Sequence, residues 1–239
     1  MPLALPLSRA KAVLFDVDGT LVDTMAVIIL GLRDAFEQFA GVSPTDQEIL
    51  ALIGLPLRKQ LRLYGMENST DAELSSRIEF TIGRFEHHKA LETTFPAAIE
   101  TLRAVHRSGR KTALVTSKSG PELQLFLERF EAKDAVDITV CASDVVHPKP
   151  DPESAFLACE RLGVAPEETL FIGDSIYDLR CARGAGCTPI GVAYGSTPLP
   201  ILADESPAEL FETPEALLAW AEQGLLQPTC PERSFSRQT

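Results

Sequence analysis

The chain has no C-x-x-C pair, no H-x-x-x-H, no G-x-x-x-x-G-K-[ST] and little positive charge. Its five cysteines (141, 159, 181, 187 and 230) are an odd number without a close pair. That argues against a disulfide framework and a zinc knuckle, and predicts buried thiols in a reducing cytoplasm. His87 and His88 are adjacent, so on a helix they point about 100° apart and cannot share a metal; both are expected at the surface. Only 22 Lys and Arg stand against 34 Asp and Glu, a net charge of −12. Such a surface repels phosphate backbones, and no nucleic-acid partner is expected. The longest apolar run, residues 25–30, is far too short to span a bilayer. The start, MPLALPLSRAK, has no basic opening and is broken by prolines at 2 and 6, so it does not read as a signal peptide. A cytoplasmic protein, monomer or homodimer, with no membrane partner is expected. Gly184-Ala185-Gly186 fails the dinucleotide fingerprint, because position 189 is proline and no strand leads directly into the turn. P-loop chemistry is excluded with its motif.

What is present is ordinary globular composition, 45% hydrophobic and 23% charged, over 239 residues. That length makes one large or two modest domains with a real core. Short runs rich in Val, Ile and Leu at 12–15, 112–115, 137–141, 169–172 and 188–193 predict buried strands. Amphipathic stretches at 97–108, 119–130, 152–162, 175–185 and 214–223 predict helices. Pro152 after Asp151 and Pro214 after Thr213 mark two of their starts. This alternation predicts an α/β fold: a doubly wound, mainly parallel sheet with helices on both faces. Between residues 24 and 94 no convincing strand is found, only helical patterns. The reading is a catalytic core from 1–23 and 93–226, interrupted by an all-helical cap over 24–92. Candidate hinges lie at 22–24 and 92–96, and a polar tail runs from Gln227.

In open α/β sheets the ligand crevice lies beyond the carboxyl ends of the strands. After the first strand, FDVDGTLVDT places three aspartates within eight residues. Asp16 and Asp18 are two apart on an extended chain and face the same way. Gly19 permits the tight turn after them, and Asp23-Thr24 already supplies a cap for the next helix. Thr116 and Ser117 follow the second strand, and Lys149 follows the third at some distance. Asp174 and Asp178 follow the fourth and are assigned to one face of a starting helix. Acids, hydroxyls and one lysine thus converge on one crevice, which suits a hard cation. Oxygen donors without Cys or His select Mg²⁺. Beside it a phosphate oxygen fits, and one aspartate can serve as nucleophile while its neighbour shuttles a proton.

The motifs Asp16-Val17-Asp18-Gly19-Thr20, Thr116, Lys149 and Gly173-Asp174-Ser175-Ile176-Tyr177-Asp178 stand in an order that resembles the haloacid dehalogenase-like hydrolase superfamily. Within it the chain is similar to the phosphoglycolate phosphatase-like subgroup, over about residues 11–222. The resemblance implies a Rossmann-like core, an inserted helical cap, and phosphatase activity on a small phosphorylated metabolite through an aspartyl-phosphate. It implies Asp16 as nucleophile and Asp18 as general acid and base. Asp16, the backbone carbonyl of Asp18, and Asp174 would bind Mg²⁺, with Asp178 in the first or second shell. Thr116, or else Ser117, would bind phosphoryl oxygens, and Lys149 would steady both nucleophile and phosphate.

Departures separate the subtypes. L-2-haloacid dehalogenases lack an acid at the position of Asp18, and phosphonoacetaldehyde hydrolases usually carry Ala there. A β-phosphoglucomutase-like phosphotransferase shares the motif set but typically has a histidine early in the cap, where this chain reads Met25-Ala26-Val27-Ile28-Ile29. A phospho-accepting signalling receiver has no such cap, and its lysine comes after the last strand. An inactive binding domain gains no support from the retained Asp16, Asp18, Lys149 and Asp174. The stretch Ile53-Gly54-Leu55-Pro56-Leu57-Arg58-Lys59 resembles a substrate-facing cap loop. Arg58 is a candidate for a second substrate anion, or else a solvated residue at a helix start. Compounds with such an anion are the expected substrates, 2-phosphoglycolate first, pyrophosphate next, then sugar phosphates and nucleotides.

Overall fold

In the computed structural model, which describes residues 5–226, the apolar runs become strands in chain order. These are β1 (Ala12–Phe15), β2 (Val22–Asp23), β3 (Thr93–Thr94), β4 (Lys111–Val115), β5 (Ile138–Val140), β6 (Thr169–Gly173), β7 (Thr188–Val192) and β8 (Glu209–Phe211). Six of them form one sheet in the order β5-β4-β1-β6-β7-β8, every pair parallel. The chain adds β4 and β5 on one side of β1 and β6 to β8 on the other, so a switch point lies at the centre. Phe15 is in register with Leu114 and Ile172, which brings the ends of the three central strands level. Residues just beyond those three ends therefore share one crevice.

Both sheet faces are covered, which is why the strands read as continuous rather than alternating apolar runs. Val13, Phe15 and Ile172 pack against α5 (Pro96–Arg107), α6 (Gly120–Arg129) and α10 (Pro214–Leu226). Leu14, Val115 and Phe171 point the opposite way, toward α7 (Glu153–Leu162) and α8 (Ile176–Ala185). Each such fully buried side chain contributes about 1.5–3 kcal/mol relative to its exposure. Thr213 Oγ1 accepts from Ala216 N–H at the start of α10, and Asp151 Oδ1 accepts from Glu153 N–H at the start of α7.

Between β2 and β3 run α1 (Met25–Ala40), α2 (Asp46–Leu50), α3 (Leu57–Arg62) and α4 (Asp71–His88), with a core of their own around Leu32, Phe36, Leu61 and Leu74. Thr45 with Glu48, and Thr70 with Glu73, close reciprocal capping boxes that start α2 and α4. The two connections to the sheet are tied by an antiparallel pair, Val22 opposite Thr94 and Asp23 opposite Thr93. The sequence reading held no strand there. It also missed β8 and α9 (Leu199–Asp204), which are three and six residues long.

His88 is not a bare surface residue, since its Nε2 lies 2.9 Å from Asp34 Oδ2. Cys141, Cys159, Cys181 and Cys187 are buried free thiols. The tail from Gln227, with Cys230, lies outside the described residues. Among the described residues no helix is long and apolar enough to cross a membrane.

Candidate active site

Asp16 is the first residue after β1, and its N–H donates to Ile172 O at 2.9 Å, extending the sheet ladder by one rung. This rigid position is buried, with 3% exposure. Three residues on, Gly19 turns the chain at φ +79°, and any Cβ there would collide with the carboxylate of Asp174. Only glycine lets the β1 turn and the end of β6 approach this closely.

Asp16, Asp174 and Asp178 are all buried, each offering one carboxylate oxygen within 4.8 Å of the others. Asp174 precedes α8 rather than lying on it, so the two acids meet across the strand-to-helix turn rather than along one helix face. Ser196 N–H and Oγ–H donate to Asp174 Oδ2 at 2.6 and 2.7 Å, and Thr20 Oγ1 donates to Oδ1 at 3.3 Å. Asp178 Oδ2 accepts from Ser175 N–H at 3.0 Å and from its hydroxyl, while Ser175 Oγ accepts from Asp178 N–H. That capping box starts α8 and fixes the carboxylate at once. The Lys149 ammonium donates to Asp16 Oδ1 at 2.8 Å, Asp178 Oδ1 at 2.6 Å and Val115 O at 3.1 Å. All three of its protons are thereby engaged.

Three carboxylates around one ammonium leave the cluster with excess negative charge. Burial, and then the repulsion of Asp178, push Asp16 well above the usual carboxylate range despite the pull of Lys149. Burial and Asp178 likewise raise Asp174 to about 7, against the hydrogen bonds from Ser196. Burial opposes the charge on Lys149, but Asp16 and Asp178 outweigh it and hold the ammonium above its ordinary value. A cation placed among these oxygens relieves both the repulsion and the lost hydration. The donor set is all oxygen, so the residues fit a hard divalent ion such as Mg²⁺.

Asp18 turns to different partners. Its Oδ1 accepts from Thr24 Oγ1 at 2.8 Å and from Lys118 Nζ at 2.9 Å. The cap of α1 comes from Asp23, whose Oδ1 accepts from Met25 N–H, so the Thr24 hydroxyl serves Asp18 instead. Thr116 is buried, and its Oγ1 accepts from Lys118 N–H at 3.2 Å, which keeps its own O–H for another acceptor. Ser117 Oγ donates to Gly54 O at 2.6 Å, across to the inserted helices.

Asp16 and Asp18 line a pocket between the sheet end and those helices, together with Ser117, Lys118, Ile53 and Leu55. Gly54 sits there at φ +97°, where a Cβ would meet Ser175 and Tyr177. Tyr177 O–H donates to Ala51 O, and Arg129 pairs with Glu86 at 3.1 Å and Glu92 at 3.5 Å. Arg58 is not brought into this pocket. It lines an adjoining, wider cleft and pairs with Asp71 at 3.1 Å.

Sequence reasoning missed Lys118, Ser196, Glu122 and Arg129 as lining or supporting residues. Lys118 lies two residues past Thr116 in VTSKSG, and its signal was a lone cation beside two hydroxyls at a strand end. Ser196 had none, because it falls in a loop after β7 with no motif around it.

A profile described as haloacid dehalogenase-like hydrolase matches residues 13–192. Pyrophosphatase PpaX of Bacillus velezensis is 31% identical over 212 residues, covering 88% of this chain and 95% of that one. N-acetylmuramic acid 6-phosphate phosphatase of Pseudomonas aeruginosa is 32% identical over 189 residues, covering 78% and 83%. Phosphoglycolate phosphatase of Salmonella typhi is 29% identical over 233 residues, covering 89% and 92%. Among solved structures, one from Bacteroides fragilis, described as a haloacid dehalogenase-like hydrolase, superposes with TM-score 0.78 at 29% identity. It covers 87% of this chain and 99% of its own.

Proposed function

This chain belongs to the haloacid dehalogenase-like hydrolase family and is a phosphatase, and we propose that it acts through a phosphorylated Asp16 with Mg²⁺ as its metal. The observation that carries this reading is a division of labour between two aspartates two residues apart. Asp16 belongs to the carboxylate cluster with Lys149, whereas the Asp18 side chain is held aside by Thr24 and Lys118. That separation supports metal binding and attack by the one and proton transfer by the other.

Asp16, Asp174 and Asp178, with the backbone carbonyl of Asp18, would hold the metal, which when bound supplies positive charge for the phosphoryl oxygens and the nucleophile. Lys149 holds Asp16 Oδ1, leaving Oδ2 to attack phosphorus as the bond to the leaving oxygen breaks. Asp18 gives that oxygen its proton. It then takes a proton from water, whose oxygen attacks phosphorus, releasing inorganic phosphate and restoring the Asp16 carboxylate. Thr116, whose O–H is not committed, is the phosphoryl donor in preference to Ser117, whose proton goes to Gly54. Val27 and Ile28 line the pocket where a mutase-like chain would be expected to carry histidine, which supports plain hydrolysis.

Residues 24–92 are assigned as the cap and 1–23 with 93–226 as the core, the hinge lying at the short β2–β3 pair. The substrate is a small phosphorylated metabolite, with 2-phosphoglycolate the first candidate and pyrophosphate next, in keeping with the relatives' names. The cytoplasm is the assigned compartment, in keeping with the four buried free thiols. Acid-quenching the protein during turnover of p-nitrophenyl phosphate and mass-analysing its peptides tests the mechanism. The peptide containing Asp16 is expected to carry a phosphoryl group; full turnover with that peptide never modified would refute the reading.

A further inference from the structure

The catalytic pocket does not end at its inner wall. Leu57, Ile82, Ser117 and Glu122 line both it and the wider cleft that holds Arg58, so these four side chains bound any passage between the two. Leu57 and Ile82 are apolar, and the Ser117 proton is engaged by Gly54 O. Glu122 is the charged group at the passage. It lies in the first turn of α6, where its Oε2 accepts from Ser119 N–H at 2.8 Å and from Ser119 Oγ at 2.6 Å. Its side chain is thus fixed in place, while its Oε1 keeps acceptor capacity. The cations nearby have carboxylate partners already: Lys118 has Asp18 in contact and also feels the charge of Glu122, Arg129 has Glu86 and Glu92, and Arg58 has Asp71.

We propose that Glu122 is a specificity-determining residue at the passage, selecting phosphate monoesters with long, uncharged, hydroxyl-bearing leaving groups over anionic ones. The proposal rests on the phosphatase reading above and extends it to leaving groups that reach past two carbons, which 2-phosphoglycolate does not. A carboxylate carried that far stands beside a fixed carboxylate flanked by Leu57 and Ile82, and the two like charges repel. A hydroxyl at the same place donates to Oε1.

Sorbitol 6-phosphate and 6-phosphogluconate test this, both being open six-carbon chains that differ only at C1, a hydroxymethyl group against a carboxylate. For the full chain with Mg²⁺, kcat/KM is expected to favour sorbitol 6-phosphate by about tenfold or more. In Glu122→Gln the preference is expected to fall at least about threefold, because the charge goes while a glutamine still closes the capping box. An equal or reversed preference in the unaltered protein, or the same preference in both proteins, would overturn the proposal. So would hydrolysis of p-nitrophenyl phosphate with neither sugar phosphate turned over. No hydrolysis of p-nitrophenyl phosphate would instead overturn the phosphatase reading beneath it.

Discussion

Lys149 Nζ lies 2.8 Å from Asp16 Oδ1, and the two side chains are 1% and 4% exposed. The same ammonium is 2.6 Å from Asp178 Oδ1, so one buried cation serves two buried carboxylates. Removing it strands negative charge among buried carboxylates. Lys149→Met is therefore expected to lower kcat by roughly 100-fold or more, the scale of losing one preorganised charge partner. It should also destabilise the fold by about 3–5 kcal/mol near neutral pH. Steady-state kinetics and urea titration read the two effects. Activity within threefold of the unaltered protein would remove Lys149 from the mechanism.

The raised pKa values of Asp16 and Asp174 set a pH dependence whose sign is opposite to that of an ordinary ion-paired carboxylate. The folded protein keeps protons that the unfolded chain loses above the ordinary carboxylate value of 3.8. Stability from these groups is thus intact below that value and lost as pH rises toward the folded value, about 7 for Asp174. Without metal, Tm is expected to fall from about pH 5 to about pH 8, and Mg²⁺ to raise Tm more at the higher pH. At low pH protons already occupy the place of the cation. A larger Mg²⁺ effect at about pH 5 would contradict the charge account of the cluster.

Ser196 holds Asp174 with two donors, its N–H and its hydroxyl. Ser196→Ala removes the second and loosens the carboxylate without touching the nucleophile. The Mg²⁺ concentration needed for half-maximal activity should rise about 10- to 100-fold, with a smaller change in kcat at saturating Mg²⁺. An unchanged Mg²⁺ requirement would mean that Asp174 needs no such support.

Arg58→Ala is expected to change kcat/KM less than about threefold on both 2-phosphoglycolate and p-nitrophenyl phosphate. Arg58 lines the outer cleft, and its pair with Asp71 is exposed, a contact worth about 0–1 kcal/mol. A selective loss on 2-phosphoglycolate would show that the guanidinium leaves Asp71 and reaches the substrate.

The differences between Arg58, Lys118 and Thr24 show what a sequence makes legible. The central strands were readable because burial on both faces leaves uninterrupted apolar runs, as in Ala12–Phe15. Asp16 and Asp174 were readable because each stands at the end of a central strand, where the parallel register brings the ends level. Asp178 was readable because it follows Asp174 by four residues, and Lys149, well past β5, by its place in the motif order. Arg58 was left open between a substrate anion and solvent because the partner the structure gives it, Asp71, lies 13 positions away on another helix. Asp23-Thr24 was read as the cap of the next helix; Asp23 alone makes the capping bond to α1, and the Thr24 hydroxyl goes to Asp18. The β2–β3 pair joins residues some 70 positions apart, too short in each half to leave a local signal. Local pattern carried the sheet and its acids; contacts set by tertiary packing were invisible.

The roles of Asp16 and Asp18 separate most directly in a stopped-flow record of p-nitrophenyl phosphate hydrolysis. Its leaving group departs without needing a proton, so Asp18→Asn should still transfer the phosphoryl group to Asp16 but stall when water must be activated. The expected trace is a burst of one p-nitrophenolate per active site and then slow turnover, with no burst in Asp16→Asn. Turnover by Asp16→Asn within about tenfold of the unaltered protein, or burst kinetics that survive in it, would contradict attack by Asp16.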